Sequence, residues 1–220
     1  NSMKAWAYRE DQLSTTHPIE GVVRDTDETF LNFDGITYGK GAALLKQLVH
    51  VVGMDGFKTG MRYYFRTYAW GNTTIDQFLR ALEHGAKQVG RHFDPVSWAR
   101  MWLQEAGLNS LKPQLEVKDG KISSFTIQQF APESHPTLRT HRVRIGLFDM
   151  DKDSGKIVLR KQVDADVQAQ PVTQITSLEG EPQPDFCYIN YDDHAYAKCL
   201  FDERVRSNHY VHPFFLNCIC

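Results

Sequence analysis

The 220-residue sequence has no apolar run approaching the ~20 residues that a membrane-spanning helix needs, so no membrane association is expected. Lys and Arg nowhere cluster, and 25 basic against 27 acidic side chains give a net charge of −2, which excludes the electrostatic footprint of a nucleic-acid binder. There is no glycine-rich phosphate loop, internal repeat or low-complexity segment. None of the nine histidines is followed by Glu, so the zinc motif His-Glu-x-x-His is absent, and no Ser-His-Asp arrangement can be assigned from spacing. Cysteine is missing until Cys187, followed by Cys199, Cys218 and Cys220. A disulfide framework would spread through a small secreted domain, so reduced thiols and a cytoplasmic location are expected. The opening segment, Asn1 to Glu10, is polar and aromatic and does not read as a signal peptide. Either Met3 is a start or the chain begins inside a longer protein. Composition fixes no oligomeric state.

What is present suffices for a packed core: 41% of residues are hydrophobic and 24% charged, as in ordinary globular proteins. Residues 1–35 read as an irregular lead-in, with Pro18 disfavouring helix at His17. From Gly39 the period is helical. Ala42, Leu45, Leu48, Val49 and Val52 recur on one face, and Gly53 supplies the stop. A second helix is expected from about Gly56 to Tyr68, with Phe57, Met61, Tyr64, Phe65 and Tyr68 as its stripe. In a third, Thr74 and Gln77 have capping-box spacing and Ile75, Phe78, Leu79 and Leu82 face inward. A fourth opens with Asp94 as N-cap and Pro95 at its first position, presents Trp98, Met101 and Trp102, and stops by Gly107.

After Pro113 the period falls to two. Short runs around Leu115–Val117, Ile122–Ile127, Val143–Phe148, Ile157–Leu159, Val163–Ala169 and Tyr188–Ile189, with a last stretch from Tyr196 to Phe201, predict a small β-sandwich. Lys118-Asp119-Gly120 signals a hairpin. The fold class is therefore α+β, with the change near Leu108–Lys112.

Three local patterns resolve to plain structural readings. Asp149-x-Asp151-x-Asp153 starts like a calcium loop, but Ser154 stands where Gly is needed and Arg160 where a bidentate Glu is needed, so a solvated hairpin turn is expected. Asn72-Thr73-Thr74 fits a glycosylation sequon, yet its place at a helix start favours capping. His209, His212, Cys218 and Cys220 have poor spacing for tetrahedral zinc and read as a frayed tail.

Gly35-Ile36-Thr37-Tyr38-Gly39-Lys40-Gly41-Ala42-Ala43 resembles the Tyr-x-Lys-Gly-Ala element of the gluzincin zinc aminopeptidases, the aminopeptidase N family. Asp11-Gln12-Leu13 with Thr16-His17-Pro18-Ile19 resembles the segment preceding that tyrosine. Gly56-Phe57-x-x-Gly60-Met61-x-x-Tyr64, Asn72-Thr73-Thr74-x-Asp76-x-Phe78, Trp98-x-x-x-Trp102-x-x-x-x-Gly107-x-Asn109 and Asn190-Tyr191-Asp192-Asp193-His194-x-Tyr196-Ala197-Lys198 continue the order, the last resembling actinobacterial-type members. The resemblance covers roughly residues 5–204 and implies an internal fragment. Residues 1–110 would be the C-terminal helical part of a thermolysin-like catalytic domain, 111–204 a β-sandwich, and 205–220 an atypical tail of the kind a frameshift or misassembly leaves.

The implied activity is removal of the N-terminal residue from a peptide substrate, with Zn held in the full-length parent by residues before position 1 and none in this chain alone. The single site residue implied here is Tyr38, a catalytic tyrosine that hydrogen-bonds the oxyanion of the tetrahedral intermediate. A phenol ordinarily stays protonated at neutral pH and so can donate that bond. A structural role is expected for Lys40. The alternative to a catalytic fragment is a noncatalytic β-sandwich binding module.

Overall fold

The change of period near Leu108 is a change of architecture. The structure, a computed structural model, describes residues 2–21, 24–31 and 33–202. The expected tail at 205–220, with its His209, His212, Cys218 and Cys220, lies outside these residues. Helices come first: α1 (Ser2–Glu10), α2 (Thr26–Leu31), a π-helical turn (Ile36–Lys40), α3 (Gly41–Val52), α4 (Met54–Thr67), α5 (Ile75–Gln88) and α6 (Pro95–Leu103). Strands follow: β1 (Ser110–Lys118), β2 (Lys121–Phe130), β3 (His141–Met150), β4 (Ile157–Val167), β5 (Val172–Gln174), β6 (Phe186–Tyr188) and β7 (Lys198–Cys199). They form one sheet in the order β5-β2-β1-β7 and another in the order β4-β3-β6. The fold is α+β, a helical part followed by a sandwich-like pair of sheets.

Local chemistry explains most boundaries. Thr74 and Gln77 close a reciprocal capping box on α5, which is the role expected of the sequon segment. The Asp94 carboxylate accepts from the amides of Val96 and Ser97 at the start of α6, and Pro95 follows it. Asp119 and Gly120 both take positive φ and turn β1 into β2. Arg160 donates to both oxygens of Asp149, at 2.8 and 2.7 Å, where a calcium ion would have needed a ligand. Strand β1 starts at Ser110, ahead of Pro113. Pro113 is tolerated because β7 pairs only with Ser110 and Leu111, which leaves that side of the strand open farther along.

Three expectations are corrected. The lead-in is not irregular: it carries α1 and α2. Hydrophobic periodicity misses α1 because its inward face is Lys4, Ala7 and, just past its end, Asp11, all buried. The inward face of α3 is rotated from the one expected. Leu44, Gln47, Leu48, His50 and Val52 are buried, whereas Leu45 is half exposed and Ala42 exposed. A run such as Ala42-Ala43-Leu44-Leu45 supports either phase, and buried polar Gln47 and His50 select the second. In α5, Ile75 is exposed rather than inward.

Among the described residues two large cores stand out, beside a small cluster around Phe186. One lies between the sheets and includes Leu111, Phe125, Ile127, Val143, Ile145 and Leu147. The other lies among the helices and includes Leu48, Leu79, Leu82, Trp98 and Trp102, with Tyr196 contributed from the far end of the chain. Helices α4 and α5 cross backbone to backbone. A Cβ placed on Gly85 would stand 2.1 Å from the Gly56 carbonyl oxygen and 2.5 Å from the Gly60 nitrogen, so no side chain fits. Arg139 joins the two parts. Buried itself, it donates to the carbonyls of Met101, Glu105 and Ala106 at 2.6, 3.0 and 2.8 Å.

Gly85→Ala should therefore cost about 1–3 kcal/mol in urea-induced unfolding, by forcing the helices apart. Gly41→Ala, where a Cβ meets nothing within 4 Å, should stay within about 0.5 kcal/mol of the parent in the same assay. Acid should also destabilise the chain. Burial, with Arg139 nearby, pushes the His141 imidazole down to about 3. In the unfolded chain it titrates near its ordinary value of about 6.5. Below that value the unfolded state takes up a proton that the folded state refuses, so stability falls as pH drops from about 6.5 towards 3. Urea midpoints measured across this window should show a shallower slope for His141→Gln than for the parent.

Candidate active site

Tyr38 sits at the centre of the π-helical turn, where the Gly41 amide reaches back to the Ile36 carbonyl, and its side chain is 46% exposed. Single π turns of this kind are uncommon and recur at functional sites. The Phe33 ring lies 5.4 Å from the Tyr38 ring, centroid to centroid. Among the described residues, the Tyr38 hydroxyl makes no hydrogen bond, so the phenol is available to a ligand.

The backbone beneath that side chain is held on three sides. At its start, Asp34 acts as a cap. Its Oδ1 accepts from the Thr37 amide at 2.8 Å, and its main-chain oxygen accepts from the Tyr38 amide at 3.2 Å. Asp34 Oδ2 in turn lies 2.5 Å from His17 Nε2. Along its flank, the turn packs directly on α1. A Cβ on Gly39 would lie 2.4 Å from the Met3 carbonyl oxygen, so only glycine allows this approach. The Glu10 carboxylate accepts from the Gly35 amide at 2.5 Å.

The third restraint is at the end of the turn. Lys40 is fully buried and its ammonium lies 2.9 Å from Asp11 Oδ2. It also donates to the Gly107 carbonyl at 3.1 Å and stands over the Tyr196 ring. Asp11 is equally buried, and its carboxylate is saturated. Oδ1 accepts from Thr16 Oγ1 at 2.6 Å and the Gly107 amide at 3.0 Å, while Oδ2 accepts from Lys40 and from the Tyr196 hydroxyl at 3.1 Å. Burial and the neighbouring Asp11 charge push the Tyr196 phenol far above its ordinary range, so it stays protonated and can donate to Asp11. Burial lowers the pKa of Lys40, and the Asp11 carboxylate opposes that shift.

Of the residues that sequence reasoning singled out, Tyr38 is placed at the surface on a braced turn, and Lys40 is placed beneath it as a structural anchor. Asp11 and His17 stand in the sequence only as part of the segment preceding the tyrosine, and Asp34 is not singled out there at all; the structure joins all three to the same turn. A charged residue between two glycines inside an apolar block, as at Lys40, was the available hint that a buried partner existed.

Among the described residues no three His, Cys, Asp or Glu side chains gather as a metal-binding set. Nor is any described helix long and apolar enough to cross a membrane. Cys199 is half-buried, and burial pushes its thiol up to about 12.

Lys40→Met should leave the Asp11 charge buried without its partner. The expected loss is about 3–5 kcal/mol of unfolding free energy, read from urea denaturation. The double variant Asp11→Asn/Lys40→Met removes that orphan charge and should recover part of the loss.

A profile of the peptidase family M1 domain matches residues 2–98, from α1 through the tyrosine-bearing turn into α6. Aminopeptidase N of Streptomyces lividans is 44% identical over 211 residues, which cover 93% of this chain and 24% of that protein. The tricorn protease-interacting factor F2 of Thermoplasma acidophilum is 28% identical over 203 residues, 92% of this chain and 24% of that protein. A leucyl aminopeptidase of Saccharolobus solfataricus is 42% identical over 126 residues, 57% of this chain and 15% of that protein. The chain thus spans 24% or less of the length of these relatives. With the family profile on its helical part and the Streptomyces lividans protein aligned across helices and sheets alike, this chain belongs to the peptidase M1 family, that of aminopeptidase N.

Proposed function

We propose that this chain is the tyrosine-bearing part of a zinc aminopeptidase that removes the N-terminal residue of peptides, and that Tyr38 is its transition-state hydrogen-bond donor. The supporting observation is the pairing of an exposed phenol with a backbone fixed by Asp34, Gly39 and the Lys40–Asp11 pair. Preorganisation is what such a donor requires. When water adds to the scissile carbonyl, negative charge grows on its oxygen, and a donor already aimed at that point stabilises it without reorganising. The described residues hold no metal-binding group of three His, Cys, Asp or Glu side chains, and in this reading the zinc ligands belong to segments of the parent that this chain does not span. Residues 1–110 would then be the helical end of the catalytic domain and 111–204 a sandwich attached to it. The same reading places the parent enzyme in the cytoplasm.

In the full-length parent, Tyr38→Phe should lower kcat by roughly 10²–10³ while leaving the bound zinc content unchanged. An unaltered kcat would remove the catalytic assignment. The 220-residue chain alone should not hydrolyse an aminoacyl-anilide, with or without added zinc. Turnover abolished by a chelator would refute the view that the zinc site lies elsewhere.

A further inference from the structure

The His17–Asp34 contact points to a role that the proposed function does not use. Both ring nitrogens of His17 face acceptor oxygens: Nε2 lies 2.5 Å from Asp34 Oδ2, and Nδ1 lies 2.7 Å from the Pro18 carbonyl. A neutral imidazole carries one N–H, so one of these contacts would set a lone pair against an oxygen. The imidazolium carries two N–H groups and satisfies both. The ring is partly open to solvent, so its proton can exchange with bulk water.

We propose that His17 is a positioning residue for Tyr38, acting as a doubly donating imidazolium that anchors the Asp34 cap to the Pro18 backbone. The chain of contacts is short. His17 fixes one carboxylate oxygen of Asp34, the other holds the Thr37 amide, and the Asp34 carbonyl holds the Tyr38 amide. The ionisable groups acting on the ring are the Asp34 carboxylate in contact and the Asp11 carboxylate beyond it, both negative. Burial disfavours the charge on His17. The Asp34 bond, the Pro18 carbonyl and the two carboxylates outweigh burial, and its pKa lies above the ordinary 6.5. As pH rises through that value, one of the two N–H bonds is lost and the cap loosens. The cationic, braced form is therefore the low-pH form, and the loss falls on the alkaline side.

This inference rests on Tyr38 being the oxyanion donor, and the test separates the two. In the full-length enzyme, kcat and KM for an aminoacyl-anilide are measured across pH for the parent, His17→Gln, Asp34→Asn and Tyr38→Phe. His17→Gln should lower kcat roughly tenfold at neutral pH, leave KM within about twofold, and flatten an alkaline limb of the kcat profile. Asp34→Asn keeps an acceptor for the Thr37 amide but removes the charge, so it should move that limb to lower pH. In ¹⁵N-tyrosine-labelled protein the Tyr38 amide resonance should shift with the midpoint of the limb, and His17→Gln should abolish that shift.

If Tyr38→Phe lowers kcat while His17→Gln changes neither kcat nor its pH profile, the positioning role is wrong and the catalytic reading stands. If Tyr38→Phe is silent, the catalytic reading falls and the amide titration alone decides whether His17 positions the turn. Should His17→Gln fail to fold, an unmoved limb in Asp34→Asn overturns the proposal and a limb moved to lower pH supports it. A uniform fall in melting temperature with an unmoved limb marks a purely structural histidine and also overturns it.

Discussion

The buried carboxylate of Asp11 is the interaction on which the rest of this structure depends. A charge with no solvent access must be neutralised and fully hydrogen-bonded, or it destabilises the fold by several kcal/mol. Asp11 meets that demand with four donors from four places in the chain: Thr16, Lys40, Gly107 and Tyr196. None can move without leaving a polar group unsatisfied. The end of α1, the end of the π-helical turn, the exit from α6 and the last loop of the sandwich are thereby fixed relative to one another. Apolar packing could hold these elements together, but it would tolerate sliding. The saturated carboxylate does not.

The same logic explains why Tyr38 can be exposed yet held in place. Its own side chain has few contacts, so the precision must come from its backbone. Gly39 lets the turn lie directly on α1, and Lys40 pins the next residue into the polar core. Bracing the backbone on both sides of one residue leaves its side chain to face the surface from a fixed base, which is what the proposed donor role requires. Flexibility there would cost part of the electrostatic gain that a preorganised group supplies.

Much of this was legible in the sequence, and what was not has physical causes. The Asp94-Pro95 start of α6, the capping box at Thr74 and the Asp119-Gly120 hairpin are local chemistry and follow from a few residues each. The Arg160 substitution in the calcium-like loop was readable for the same reason. Helix α1 was not readable, because its buried face is built from Lys4 and Asp11, whose partners lie far along the chain at Asp193 and Tyr196. The phase of α3 was not readable either, since its apolar run supports two faces and the selecting residue, His50, stacks on His194. The tyrosine of the site came from motif order, whereas the groups that hold it are contacts between distant segments, which no local pattern encodes.

Those distant contacts bear on whether the sheets are a self-contained module. The chain changes period at Leu108, but packing does not divide there. Tyr196 belongs to the helical core, Lys4 donates to the Ala195 carbonyl at 2.8 Å and ion-pairs with Asp193, and Tyr8 donates to the Ala197 carbonyl at 3.1 Å. Arg139, from the segment leading into β3, caps the carbonyls that end α6. Cutting at the change of period would strip Tyr196 of its surroundings, and would take Asp193 and the Ala195 carbonyl from Lys4, the Tyr196 hydroxyl from Asp11 and the carbonyls of Met101, Glu105 and Ala106 from Arg139. A binding module that evolved to stand alone would carry a polar outer face there. The seam instead has the composition of an interior, which favours a sandwich built to buttress the tyrosine-bearing turn over one built to work apart from it.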